Sequence, residues 1–300
     1  MIPYPHPDLP DLLHKYLSFD GLKKTLLGSS VLVSRPTLFN DAFDSTPTYG
    51  SDFDRETVVE SALEQCVSVV RGDEFPKLVG PFAPFLLMLR STFGAKRFVE
   101  DELRAGLEDT LDGLPAHLSK LKEEHAEHLK SFKICCFSSD SLSPPMWGNY
   151  ADNLNGGMLS FSHDETRDSL FLTARPVLYK QTPPILFSND FLSDYLSARA
   201  EITPEYLTDL AIFNKDISWK YEQEWRLVAG EGWKPEYETE LVNFNPLDLS
   251  EVTLGARASQ DQINETKHIL RIKYPHTRLF RLTTNNQSSQ YLRIEIDLYY

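Results

Sequence analysis

The sequence predicts an α+β fold in which a central, mostly antiparallel sheet is interrupted by a helical block. Three observations predict it. Short runs of strand composition occur near the N-terminus and recur through the C-terminal half. Between them, residues 55–131 carry apolar side chains at helical spacing. No internal repeat or long low-complexity tract points to another architecture. The 300 residues suit one large domain or two intimate ones. We read the chain as a single domain over 1–300 with a helical insertion at 55–131.

The elements follow in order. Residues 1–11 are proline-rich and read as extended. Residues 12–17 form the first strand. A helix follows over 19–28, with Asp20 as its cap, Leu22, Leu26 and Leu27 on its buried face, and Gly28 as its stop. Val31 to Ser34 is a strand halted by Pro36. In the insertion, Val58, Val59, Ala62, Leu63, Cys66, Val67 and Val70 make one apolar stripe, which Gly72 closes. Residues 85–131 read as helical with an interruption at Gly113-Leu114-Pro115. Strands are then expected at 133–138, 157–161 and 177–179. A helix with a proline break is expected over 190–214. The strand Glu224 to Ala229, the stretch 247–254, a helix over 259–273 and two late strands complete the chain.

Charge and cysteines narrow the function classes. Acidic residues number 44 against 30 basic ones, a formal net charge of −14, which argues against general binding to a nucleic-acid backbone. The three cysteines are Cys66, Cys135 and Cys136, and the adjacent pair cannot join without strain. This suits a reducing cytoplasm. The first seven residues lack the basic and apolar regions of a signal peptide. The longest apolar run, Phe82 to Leu89, is too short to span a bilayer, so no membrane partner is expected.

The chemistry concentrates in Ser218-Trp219-Lys220-Tyr221-Glu222-Gln223-Glu224-Trp225-Arg226-Leu227. On a strand, residues two apart share a face, which would set Glu222 beside Glu224 and Trp225 opposite. Two adjacent carboxylates repel, so at least one is expected to be used, as a base or as a partner for positive charge. An exposed edge strand with solvated glutamates is the plain alternative. Asn40, Asp41 and Asp44 sit in a loop; capping of the turn explains Asn40, and the two aspartates stay open. Arg226 could pair with Glu224 in a structural role. His117, His125 and His128 lie on a helix without metal-ligand spacing, so a solvated face is expected and no metal site. Cys135 and Cys136 read as core residues. No phosphate loop, dinucleotide glycine fingerprint or serine nucleophile elbow is present.

With these segments placed, the chain resembles a widespread bacterial family that shares a domain of unknown function. The matching pieces are Lys15-Tyr16-Leu17-Ser18, the run Ser34 to Asp44, Cys136-Phe137-Ser138, Met146-Trp147-Gly148-Asn149-Tyr150-Ala151, Asn155-Gly156-Gly157-Met158, Trp219 to Arg226, and Glu251 to Gly255. Ala42 and Asp44 depart from that family's usual proline and glutamate.

More distantly, the order of parts is similar to the ADP-ribosyltransferase superfamily. The parts are a first strand with His14-Lys15-Tyr16, a middle strand with Phe137-Ser138-Ser139, and a late Glu222-Gln223-Glu224. The resemblance implies a split central sheet and NAD as substrate. It implies that Glu224 binds the nicotinamide ribose and stabilises its oxocarbenium-like charge, and that Glu222 orients or activates the acceptor. Ser138 would support the ribose or Glu224. Lys15 or His14 would meet the diphosphate or adenosine, and Tyr150 or Trp147 would stack on nicotinamide. The expected activity is ADP-ribosyl transfer or NAD cleavage by a toxin or phage-defence effector, with an unidentified protein or nucleic-acid acceptor. The competing readings are a metal-dependent nuclease, using Asp41, Asp44, Glu222 and Glu224 around Mg²⁺, and a non-catalytic binding module.

Overall fold

A computed structural model of the chain describes residues 4–41, 43–46, 48–49, 53–93, 100–182, 185–285 and 290–299. Ala42, the first three residues of the proline-rich start and residues 94–99 of the helical block lie outside that description. The fold is mixed α and β, with a mostly antiparallel sheet and several helices. The chain divides into two compact units. One holds 1–44, 130–181 and 215–300; the other holds 45–129 and 182–214.

In chain order the first elements are β1 (Leu13–Leu17), α1 (Phe19–Gly28), β2 (Ser30–Ser34), β3 (Thr48–Tyr49), α2 (Arg55–Arg71), α3 (Ala83–Phe93) and α4 (Glu100–Ser131). There follow β4 (Ile134–Ser138), α5 (Pro144–Asn149), β5 (Gly157–Phe161), β6 (Arg175–Pro176), β7 (Leu178–Lys180), β8 (Ile185–Leu186), α6 (Asn189–Leu196) and α7 (Pro204–Ile212). The last are β9 (Asn214–Asp216), β10 (Glu224–Val228), β11 (Thr239–Asn243), β12 (Leu249–Leu254), α8 (Gln260–Lys273), β13 (Arg278–Asn285) and β14 (Gln290–Ile296).

Among the described residues, the sheet unit carries a ten-stranded sheet in the order β11-β2-β4-β1-β5-β12-β13-β14, with β10 beside β4 and β6 beside β10. Within this sheet every pair is antiparallel except β12 with β13, which α8 connects and which run parallel. One face of the sheet packs on α1 and α8 through Leu13, Leu22, Leu26, Phe137, Phe161, Trp225, Leu254, Ile269 and Leu270. The opposite face packs Tyr16 and Met158 on Met146, Trp147 and Ala151 of the α5 region. This is the period of two expected of strands: Leu13 and Tyr16 are three residues apart, an odd number, and face opposite ways.

The cap of α1 is Ser18, not Asp20. The Ser18 hydroxyl accepts from the Gly21 amide, and Asp20 falls in the first turn, where its charge suits the helix dipole. The Asn155-Gly156-Gly157 turn and Gly255 need glycine because two chain segments cross there. A Cβ on Gly156 would lie 2.1 Å from the Leu17 carbonyl, and one on Gly255 would lie 2.0 Å from the Leu154 carbonyl. The Gly255 amide donates to the Gly156 carbonyl at 2.8 Å across this crossing.

The second unit is built on α2, α3, α4, α6 and α7, with a small parallel pairing of β3 and β8. The stripe on α2 is buried as Val58, Val59, Ala62, Leu63, Cys66, Val69 and Val70, with Val67 at its edge. Helix α4 runs through Gly113-Leu114-Pro115 instead of breaking there. Leu111, Leu114 and Leu118 are buried on one stripe, while Pro115 faces solvent, where water can satisfy the carbonyl it leaves unpaired. His125 is buried, not solvated: its Nδ1 is 2.8 Å from the Tyr49 hydroxyl.

Candidate functional site

The site forms where the sheet parts. Strand β4 is fully paired with β10 along one edge, with Glu224 opposite Ser138 and Val228 opposite Ile134. Along its other edge it meets β1 only at His14↔Ser138 and β2 only at Ser34↔Ile134. Between those two points the edge of β4 has no strand beside it. Lys15 enters the gap and donates from Nζ to the Cys136 carbonyl at 3.1 Å, a bond a neighbouring strand would otherwise supply. A cavity of about 320 Å³ opens here. Leu32, Leu38, Phe39, Ile134 and Met146 give it apolar walls, while Lys15, Asp44, Tyr150, Lys215, Glu222 and Glu224 supply charge and hydrogen bonds.

Glu222 and Glu224 come together, but not as alternate residues of a strand. Glu222 ends a 3₁₀ turn over Ile217–Glu222, Gln223 takes a left-handed conformation with φ 43°, and β10 starts only at Glu224. The 3₁₀ turn folds Glu222 back so that both carboxylates reach one ammonium. Lys215 Nζ lies 2.6 Å from Glu222 Oε2, 3.1 Å from Glu224 Oε2 and 3.0 Å from Asp44 Oδ2. Arg226 completes the set. Its Nε donates to Glu224 Oε1 at 2.7 Å, and its Nη2 to Glu224 Oε2 at 3.0 Å and to Asp44 Oδ2 at 2.7 Å. All five side chains are buried. Three carboxylates against two cations leave one formal negative charge in surplus.

The two glutamates differ in environment. Burial would raise the Glu224 carboxyl, but Arg226 and then Lys215 outweigh it and hold it down at about 2. The Cys136 thiol also bonds to this carboxylate. Burial raises the Glu222 carboxyl above the ordinary range despite Lys215, which opposes it. Burial and the Glu222 charge push the Tyr150 phenol up, so it stays a donor: its hydroxyl donates a hydrogen bond to Glu222 Oε1 at 2.5 Å and accepts one from Asn40 Nδ2 at 2.8 Å. The Glu224 amide donates to the Tyr179 hydroxyl at 2.8 Å, fixing the start of β10. Burial, then Arg293, holds His14 down at about 4; its Nδ1 is 2.9 Å from the Ser160 hydroxyl.

Of the residues singled out from sequence, His14, Lys15, Tyr16, Tyr150, Glu222 and Glu224 line the cavity. Ser138 and Trp147 do not. Ser138 sits opposite both Glu224 and His14 in the sheet, but its hydroxyl is turned to the Asp140 backbone. Trp147 is fully buried, edge-on to Tyr16 at 5.2 Å, with its indole N–H on the Ser141 carbonyl. Cys136 is a cavity residue, not a core one, whereas Cys135 is buried in the core. The Asn40 amide donates to the Tyr150 hydroxyl at 2.8 Å. Lys215 and Tyr179 carried no signal beyond composition in their own segments. Asp44, left open from sequence, closes the Asn40–Asp44 run as a partner of both cations.

No curated protein and no solved structure matches the chain. Among the described residues, no helix is long and apolar enough to cross a membrane. A family model described as a protein of unknown function, DUF2971, matches residues 146–227, the stretch that runs from Met146-Trp147 on α5 to the Glu222-Gln223-Glu224-Trp225-Arg226 segment of the site.

Proposed function

We propose that the protein cleaves NAD at the nicotinamide–ribose bond and passes ADP-ribose to an acceptor or to water. The observation that carries this reading is the cavity at the parted edge of β4, which gathers His14, Lys15 and Tyr16 from β1 with Glu222 and Glu224 from residues more than two hundred positions away. A split sheet with a cation-bearing first strand and a paired-glutamate late strand is what the resemblance to ADP-ribosyltransferases implies. The cavity is at the small end for ligand sites, which suits the nicotinamide ribose end of the dinucleotide.

The chemistry follows from the charges. When the C1′–N bond breaks, nicotinamide leaves neutral with the bonding electron pair and the ribose carbon becomes cationic. Glu224, kept ionised by Arg226, supplies negative charge against that carbon. An acceptor oxygen or nitrogen then bonds to C1′, and its proton passes to Glu222, whose raised affinity for protons suits a base. Lys15 offers a cation for the diphosphate. Tyr150, held by Asn40 and Glu222, offers the ring beside nicotinamide. The nuclease alternative would place a divalent ion among Asp44, Glu222 and Glu224, and Lys215 Nζ fills that point. Incubation of purified protein with NAD in EDTA, read as free nicotinamide, tests the proposal. Release is expected; NAD left intact across a range of protein and nucleic-acid acceptors would overturn it.

A further inference from the structure

Lys215 is the residue the sequence did not mark, and it is the one atom group that touches all three acids of the site. It sits on β9, directly before the 3₁₀ turn that carries Glu222. Its Nζ lies within hydrogen-bond distance of Asp44, Glu222 and Glu224. Trp219 closes the other side, with its ring centre 4.9 Å from Nζ. Nothing else among the described residues bridges Glu222 to Glu224. Arg226 reaches Glu224 and Asp44, and Tyr150 reaches Glu222 alone.

We infer that Lys215 is the positioning residue of the site: its ammonium holds Glu222 and Glu224 at one point and keeps Glu222 able to accept a proton. The reason is electrostatic. Two buried carboxylates this close cannot both stay ionised without a cation between them. Without Nζ, Glu222 would face Glu224 and Asp44 across an empty seat. It would bind a proton, keep its bond to Tyr150, and lose its use as a base. The groups that face Glu222 are Tyr150 at the end of α5, Lys215 from β9, Tyr179 from β7, Glu224 from β10, Asp44 across the Lys215 ammonium, and Tyr221 beside it. Lys215 is the one cation of that set in contact with it. The role of base rests on the NAD reading above; the effect on Glu222 ionisation does not.

The test separates the two. Lys215→Ala removes a propylammonium-sized piece and leaves its seat. Carbon-13 NMR of labelled glutamate carboxyls follows Glu222 ionisation, assigned by Glu222→Gln. The midpoint in Lys215→Ala is expected to rise by at least about one pH unit, a tenfold change in proton affinity. Millimolar n-propylammonium should return it toward the wild-type value, while propanol should not; Lys215→Arg should change it little. A midpoint unmoved in Lys215→Ala, or one that propylammonium leaves displaced, overturns the inference. Should Lys215→Ala fail to fold, the double variant Lys215→Ala/Glu222→Gln decides, because relief of the paired charge should let it fold. A double variant no better than the single one overturns the inference equally. Nicotinamide release in the same samples addresses the NAD reading alone. Release lost in Lys215→Ala and restored by propylammonium is the expected pattern; a wild type that releases none sinks that reading and leaves the titration result standing.

Discussion

Arg226→Met should be among the most damaging substitutions in the sheet unit. The guanidinium is fully buried and makes three bonds to Glu224 and Asp44 at 2.7–3.0 Å. Glu224 is held at about 2 against a usual 4.5, a gap of about 2.5 pH units. At about 1.4 kcal/mol per pH unit, that gap corresponds to about 3 kcal/mol of stability. Removing one partner of a buried ion pair costs about 3–5 kcal/mol in general, which agrees. Part of the Glu224 effect belongs to Lys215, but Arg226 also serves Asp44, so about 3–4 kcal/mol is the expected loss at pH 7. Because the folded-state value of Glu224 lies below the unfolded one, its contribution is full above about pH 4.5 and disappears as pH falls through about 2. Urea denaturation of wild type and Arg226→Met at several pH values is the assay. The difference should be large at pH 7 and shrink as pH falls from about 5 toward 2. A loss under about 1 kcal/mol, or a difference that does not change with pH, would refute the reasoning.

Other expectations follow from the same contacts. Glu222→Gln should cost less stability at pH 7 than Glu224→Gln, because the raised Glu222 carboxyl favours folding in its protonated form and loses that advantage as pH rises; melting temperatures compare them. Gly156→Ala should prevent normal folding, given the 2.1 Å approach to the Leu17 carbonyl, whereas Gly113→Ala, open on α4, should stabilise by about 0.5–1 kcal/mol. Circular dichroism melts would show equal behaviour if the crossing at Gly156 were not tight. His14 and His125 are both held neutral, at about 4, so wild-type stability should fall as pH drops from about 6.5 to about 4. His14→Asn and His125→Asn should each flatten that fall in melting temperature.

The strands and helices were legible because their periodicity is strong. The 13–17, 134–138 and 157–161 strands and the α2 stripe all lie where the sequence pattern put them. The helix through Pro115 was not, because burial of Leu111, Leu114 and Leu118 overrides a local breaker. At the site, Glu222, Glu224, Lys15 and Tyr150 were visible as polar or aromatic residues within the Lys15-Tyr16, Met146 to Ala151 and Trp219 to Arg226 segments. Lys215 was not, since a lysine on a three-residue strand reads as a surface cation until its partners are known. The left-handed Gln223, which turns Glu222 onto Lys215, also had no signal, because strand alternation gave the same pairing by a different geometry. For Trp147 the sequence shows an aromatic on a short helix, compatible with the core or with the site, and the structure puts it in the core.

The most direct measurement is nicotinamide release from NAD by wild type, Glu224→Gln and Glu222→Gln, each in EDTA. Glu224→Gln keeps the size of the side chain, replaces one of the two oxygens that accept from Arg226 and Lys215 by a donor amide, and removes the charge set against the ribose cation. Loss of such a transition-state contact typically costs about 10²–10³-fold in rate. The account predicts that Glu224→Gln folds and loses release by that factor, while Glu222→Gln loses transfer to an acceptor more than it loses NAD cleavage. Full release by a folded Glu224→Gln protein, or release that disappears with EDTA in the wild type, would contradict it.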